Sequence, residues 1–151
     1  MASLKGRYEG SVDVKGRLSI PSKCRKLLPE ELVIAKHPNR DIPALVVYSD
    51  EGFDNWFEQL LEAKGGAKAN DASQAQLRDE FYQDSQSASP DTIGRISIPS
   101  FLREYAGIDK DVVITGSYDH LIIRTPEMLE RSRKAFESNS VYDEPASVLA
   151  E

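Results

Sequence analysis

Asp13-Val-Lys-Gly-Arg-Leu-Ser-Ile-Pro-Ser-Lys-Cys-Arg-Lys26 returns 78 positions later as Asp91-Thr-Ile-Gly-Arg-Ile-Ser-Ile-Pro-Ser-Phe-Leu-Arg-Glu104. Eight of the fourteen positions are identical: Asp13/Asp91, Gly16/Gly94, Arg17/Arg95, Ser19/Ser97, Ile20/Ile98, Pro21/Pro99, Ser22/Ser100 and Arg25/Arg103. A Gly-Arg turn and an Ile-Pro-Ser boundary at one spacing, twice, mark an internal duplication. Each copy has roughly 45 patterned residues, too few to bury an independent core, so the copies are expected to share one or complete it with neighbouring subunits. A repeated basic turn suits a repetitive partner better than a single catalytic pocket.

Outward from the turn, the periodicity predicts the same order in both copies: strand, turn, strand, short helix, strand, turn, strand, longer helix. Tyr8 to Val12 and Leu18 to Ile20 flank the first turn, Pro21 stops the strand, and Ser22 is placed to cap a short helix ending at Pro29. Leu32 to Ala35 and Ala44 to Tyr48 follow as β-branched runs around a Pro- and Asn-containing loop. In the second copy Ile96 to Ile98, a helix from Ser100 closed by Gly107, Val112 to Thr115 and Leu121 to Arg124 match them. Phe53, Trp56, Phe57, Leu60 and Leu61 define an amphipathic helix capped by Ser49 or Asp50; Gly65-Gly66 breaks it, and Asn70 to Gln83 resumes helical structure. Thr125-Pro126 opens a weaker equivalent carrying Met128, Leu129 and Phe136. The boundaries expected are 7–56 and 83–126 for the repeats, 57–82 for a helical connector, and 127–151 for a last helix and mobile tail.

The net charge of −6 is unevenly spread. Met1 to Leu28 holds seven basic and two acidic residues, a balance of +5, which leaves −11 in the other 123 residues. One basic face on an acidic body is the footprint of a protein that docks on a polyanion. Cys24 is the single cysteine, which excludes an intrachain disulfide, and the apolar runs are too short for a membrane span. Without an apolar h-region near the first residue, a reducing, cytoplasmic setting is expected.

Within the first turn Asp13 can accept backbone N–H groups two or three residues on, while Gly16 supplies a positive φ. Lys15 and Arg17 then project from a hairpin tip, where a guanidinium fork can reach guanine O6 and N7 or phosphate in a groove wide enough for a two-stranded ribbon.

Asp-x-x-Gly-Arg followed by Ile-Pro-Ser and a short helix resembles the AbrB-like swapped-hairpin family of bacterial DNA-binding proteins, and two such units with a helix after each resemble the MraZ family. The resemblance covers roughly Arg7 to Trp56 and Phe81 to Pro126. It implies an α+β fold of two intertwined double-split β-α-β, swapped-hairpin repeats forming a small β-barrel core with flanking helices. It also implies a nucleoid-associated transcriptional regulator of the division and cell-wall gene cluster that forms ring-like homo-oligomers. Carried over by position, the DNA-contacting residues fall on Lys15, Arg17 and Arg25, with Lys23 and Arg7 as phosphate contacts from their place in the chain.

The second copy departs from the first: Ile93 replaces the lysine, Glu104 replaces Lys26, and Asp91 to Glu104 has no net charge against +4 for Asp13 to Lys26. The first copy is therefore expected to touch double-stranded DNA, with Arg95 and Arg103 weaker or structural and Asp91 and Gly94 forming the turn. A head-to-tail ring would point all first-copy turns one way, which calls for direct repeats in the operator. The competing reading is an antitoxin-like module of the same fold whose acidic tail binds a basic protein. No cofactor, metal or small-molecule substrate is implied. Cys24 sits at an apolar helix position, His37 and His120 lie in nonequivalent loops, Trp56 and Phe57 read as core, and Glu30-Glu31, Asp109 and Asp111 lie at element boundaries, so no catalytic centre is assembled.

Overall fold

The first copy folds as β1 (Arg7–Ser11), β2 (Arg17–Ser19), the one-turn α1 (Ser22–Arg25), β3 (Leu32–Lys36), β4 (Leu45–Ser49) and α2 (Asp50–Ala63). After α3 (Asp71–Gln83), the second copy runs β5 (Gln86–Ser87), β6 (Arg95–Ser97), α4 (Ser100–Ala106), β7 (Asp111–Gly116), β8 (Leu121–Arg124) and α5 (Pro126–Ser138). The structure, a computed structural model, describes residues 2–63 and 71–138. The Gly65-Gly66 break and the tail beyond Ser138 lie outside the described residues.

Element types agree with the periodicity, and two of the expected caps form: the Ser49 hydroxyl accepts the Gly52 N–H at 2.9 Å and the Thr125 hydroxyl accepts that of Met128 at 3.1 Å. The cap expected at Ser22 does not. Pro21 holds the N-cap position with ψ 137° and no side-chain cap, and its carbonyl accepts the Cys24 and Arg25 N–H groups at 2.9 and 3.0 Å. Proline thus ends the strand and starts the helix in one residue, which leaves Ser22 as the first helical position. Pro99 does the same before α4.

All ladders are antiparallel, in the order β1-β7-β8-β4-β3-β5, with β2 and β6 forming a separate two-stranded ribbon. Four of the six strand pairings among the described residues cross between copies. β1 lies against β7 of the second copy from Arg7↔Thr115 to Ser11↔Asp111, β5 returns to β3 of the first, and β4 pairs with β8. Further links run from the Ile20 N–H to the Gly94 carbonyl (2.9 Å) and from the Ile98 N–H to the Gly16 carbonyl (2.8 Å).

The reason is burial. One face of the sheet packs against the inward side of the ribbon and the two short helices, so Leu18, Ile20 and Cys24 of the first copy share a core with Ile96, Ile98 and Leu102 of the second. Leu18 and Ile96 are 1% and 0% exposed, and burial of a side chain of this size stabilises by about 1.5–3 kcal/mol. On the other face Val33, Ala35, Val46 and Tyr48 lie under Phe53 and Trp56 of α2. Phe57, fully buried, packs against Phe81 and Tyr82 of α3 with centroids 5.6 and 5.2 Å apart, which seats the connecting helix on α2 through aromatic contacts.

Among the described residues the sheet is open, and the expected small barrel does not close. The ribbon strands are three residues long and Pro21 and Pro99 stop them before they can extend the ladder, so β1 and β5 remain as edges. Exposed Arg7 and Glu9 on β1 and the two-residue length of β5 blunt those edges.

Candidate nucleic-acid interface

Each turn is built from one aspartate. The Gly16 N–H closes the first by donating to the Asp13 carbonyl (2.9 Å), and the Asp13 N–H donates to the Arg17 carbonyl (2.9 Å). Oδ1 of Asp13 accepts the N–H groups of Lys15 and Arg17, both at 2.9 Å, and Oδ2 accepts the Arg17 Nε–H at 2.8 Å. Gly16 has φ +81°, the left-handed position that a three-residue hairpin requires. The second turn repeats the set: Oδ1 of Asp91 takes Ile93 and Arg95 N–H at 3.1 and 2.9 Å, Oδ2 takes Arg95 Nε–H at 2.8 Å, and Gly94 has φ +85°. The arginine backbone N–H, then its side chain, hold both aspartate carboxyls below the ordinary carboxylate value of 3.8. Both carboxylates are therefore charged at neutral pH, and both arginines are pinned through Nε, which leaves the Nη edge outside the pair.

The ribbon register then decides which side chains share a surface. Arg17 stands opposite Ser97 and Arg95 opposite Ser19, while Leu18 opposite Ile96 points inward. Period two puts Arg17, Ser19, Arg95 and Ser97 together on the outer side, where the arginines are partly exposed and the serines exposed. Two residues separate the arginines along the ribbon, about 7 Å at strand rise, or about two base-pair steps of a duplex. Both arginines already pay the entropy of a fixed side chain through their aspartates, so a partner meets a pre-set pair of guanidinium forks.

Strand exchange also redistributes the remaining cations. Arg25 of the first copy lies against Gly94 of the second turn, and Arg103 of the second copy lies against Gly16 of the first, donating its Nε–H to the Ile98 carbonyl at 3.1 Å. Each turn is thus flanked by the helix arginine of the other copy. Lys15 is exposed at the tip of the first turn, and Lys23 is exposed on α1. Arg7 is not brought to this surface: it pairs with Thr115, which contacts Arg124 on the opposite side of the sheet, so its side chain faces away from the ribbon. Ser19 and Ser97 join the surface without having been singled out in the sequence. The alternation Arg17-Leu18-Ser19 was their signal.

Polar groups elsewhere are largely bonded to one another, though the buried Arg124 Nε has no hydrogen-bond partner. A pocket of about 340 Å³ is lined by Lys36, His37, Arg40, Phe81 and Tyr105, but Lys36 is bonded to Asp84 at 2.9 Å and the Tyr105 hydroxyl to the His37 carbonyl at 2.8 Å. Burial lowers the His37 pKa, and its Nδ1 accepts the Asn39 N–H at 3.1 Å. Cys24 is buried among apolar side chains, which pushes its thiol pKa up and disfavours the thiolate. No helix among the described residues is long and apolar enough to cross a membrane.

A duplicated α+β chain whose copies exchange strands, with two aspartate-pinned arginines on one outer ribbon face, has the form of a protein that docks a β-ribbon on a polyanion. Residues 81–149 match the family model described as "MraZ protein, putative antitoxin-like". Over 138 residues the chain is 35% identical to a protein of Lachnoclostridium phytofermentans named Transcriptional regulator MraZ, covering 91% of this chain and 86% of that protein. Proteins of the same name from Acetivibrio thermocellus and Mycolicibacterium smegmatis are 39% and 31% identical, covering 74% and 89% of this chain and 73% and 89% of theirs. The chain belongs to the MraZ family.

Proposed function

We propose that this chain is a transcriptional regulator that binds double-stranded DNA sequence-specifically, laying the outer face of the β2–β6 ribbon and its two turns in the major groove. The observation that carries this reading is the common face of Arg17, Ser19, Arg95 and Ser97, with both guanidinium groups oriented by carboxylates. Arg17 and Arg95 contact base edges, Lys15, Arg25 and Lys23 neutralise phosphates, and Asp13, Gly16, Asp91 and Gly94 hold the tips. The names carried by its relatives support the regulatory role.

The finer assignment extends the same reading. The chain acts on the nucleoid in the cytoplasm, on the bacterial division and cell-wall gene cluster, through direct repeats upstream of its own operon. It does so as a ring-like homo-oligomer that sums weak contacts by effective concentration, which offsets the −6 net charge. Residues 7–56 and 83–126 are the two swapped-hairpin repeats, 57–82 the connector and 127–151 the terminal segment.

Selection of duplexes from a random pool by the full chain, followed by a salt series on the recovered sequence and a footprint on the upstream DNA, tests this. Enrichment of one motif in direct repeats, with affinity falling steeply as salt rises, is expected. A chain that enriches no duplex overturns the regulator reading and favours the antitoxin-like one; inverted half-sites overturn the head-to-tail arrangement alone.

A further inference from the structure

The two turns have one backbone and different tips. Each tip carries one exposed aliphatic side chain, but at adjacent positions: Val14, fully exposed, precedes the exposed Lys15 in the first turn, whereas in the second the exposed Thr92 precedes Ile93, which is 62% exposed with its N–H fixed by Asp91 Oδ1. Folding gives no reason for an isoleucine there, since it is absent from both cores. Two guanidinium groups flank it, Arg95 two residues on and Arg25 against Gly94, with Glu30 and Glu31 in the groove on the Arg25 side. An apolar tip flanked by guanidinium groups does not match an apolar protein surface, which would leave those charges desolvated.

We infer that Ile93 is a specificity-determining residue that contacts the 5-methyl group of a thymine in the major groove. This rests on the DNA-binding reading above. The thymine methyl is the apolar group that a major groove presents, and it lies among phosphates and acceptor edges that suit the flanking arginines. Lys15, at the equivalent position, has three N–H donors and no apolar tip, so it selects acceptors on guanine or phosphate. One ribbon therefore reads two chemically different half-patches, and neither turn can take the other's place on the duplex.

The test uses the duplex recovered by selection with the full chain, resynthesised with each thymine replaced in turn by uracil, which lacks the 5-methyl group. Binding is measured for the wild-type chain and for Ile93→Ala. At one thymine per repeat, uracil is expected to weaken wild-type binding about three- to fivefold, the scale of one buried methyl, and to leave Ile93→Ala unchanged. The salt slope of Ile93→Ala should equal that of the wild type, whereas Lys15→Ala should lower it by about one. Three results overturn the inference: no methyl-sensitive thymine in the wild type, equal methyl sensitivity in Ile93→Ala, or a changed sedimentation profile of Ile93→Ala that assigns the residue to a subunit contact. Absence of any selected duplex would be the distinct failure of the function proposed above. Because Ile93 is exposed, circular dichroism of Ile93→Ala should match the wild type, and Ile93→Lys offers a second variant, which should exchange thymine preference for guanine at that position.

Discussion

The turns at Asp13–Arg17 and Asp91–Arg95 agree in every anchoring hydrogen bond to within 0.2 Å, yet one ends in a lysine and the other in an isoleucine. Backbone and binding are thereby separated: the aspartate, the glycine and the arginine Nε define a shape, and the tip residue and local charge define what the shape can meet. Pinning by aspartate is common to Arg17 and Arg95 and does not set them apart. What does differ is the neighbourhood. The groove beside the second turn includes Glu30 and Glu31 next to Arg25, whereas the first has Lys15 at its tip and Arg103 at its base.

Arg17→Ala should show the largest effect, because the first turn combines a base-reading fork with the denser positive charge. A drop on the order of a hundredfold in affinity for the selected duplex, measured by gel shift, is expected. Arg95→Ala should lose on the order of tenfold in the same assay, since the nearby carboxylates weaken the approach of the second turn to phosphate. Equal losses would mean that the flanking charge does not matter and only the shared ribbon face does.

Stability separates the turns in the same direction by a smaller margin. Gly16 and Gly94 both sit at positive φ, so alanine strains either by about 1–2 kcal/mol. At Gly94 the added Cβ also displaces Arg25, while at Gly16 it meets the Ile98 carbonyl at 3.0 Å. A flexible arginine yields more easily than a backbone carbonyl, so urea melts should rank Gly16→Ala as the less stable, by about half a kcal/mol.

The smallest effect concerns pH. Both aspartates have folded values held below 3.8, so their contribution is present above that value and is lost as pH falls through it and then through the lower folded one. Amide resonances of Lys15, Arg17, Ile93 and Arg95 should shift together below about pH 4, and Asp13→Asn should remove the transition from the first turn only.

Much of this was legible in the chain. The duplication, the element order, the buried character of Cys24 and Phe57 and the helix ends at Ser49, Thr125 and Gly107 follow from local spacing, because capping and periodicity act over a few residues. The open sheet did not, since closure depends on how many residues separate two prolines from a ladder they never join. Nor did the placement of Arg25 beside Gly94 and of Arg103 beside Gly16, which exists only once strands have crossed between copies. Arg7 shows the same limit from the other side: its charge placed it among DNA contacts, and the pleat of β1 turns it away from the ribbon. Lys15 and Arg17, by contrast, lie where the local turn alone places them.

Crossing strands such as β1 against β7 also bear on how the two tips came to differ. In an assembly of two identical short chains, any substitution at one fingertip would be copied at the other, and a lysine could never face an isoleucine. Tethering the halves through α2 and α3 lifts that symmetry while keeping the shared interior, so each fingertip is free to acquire its own chemical preference.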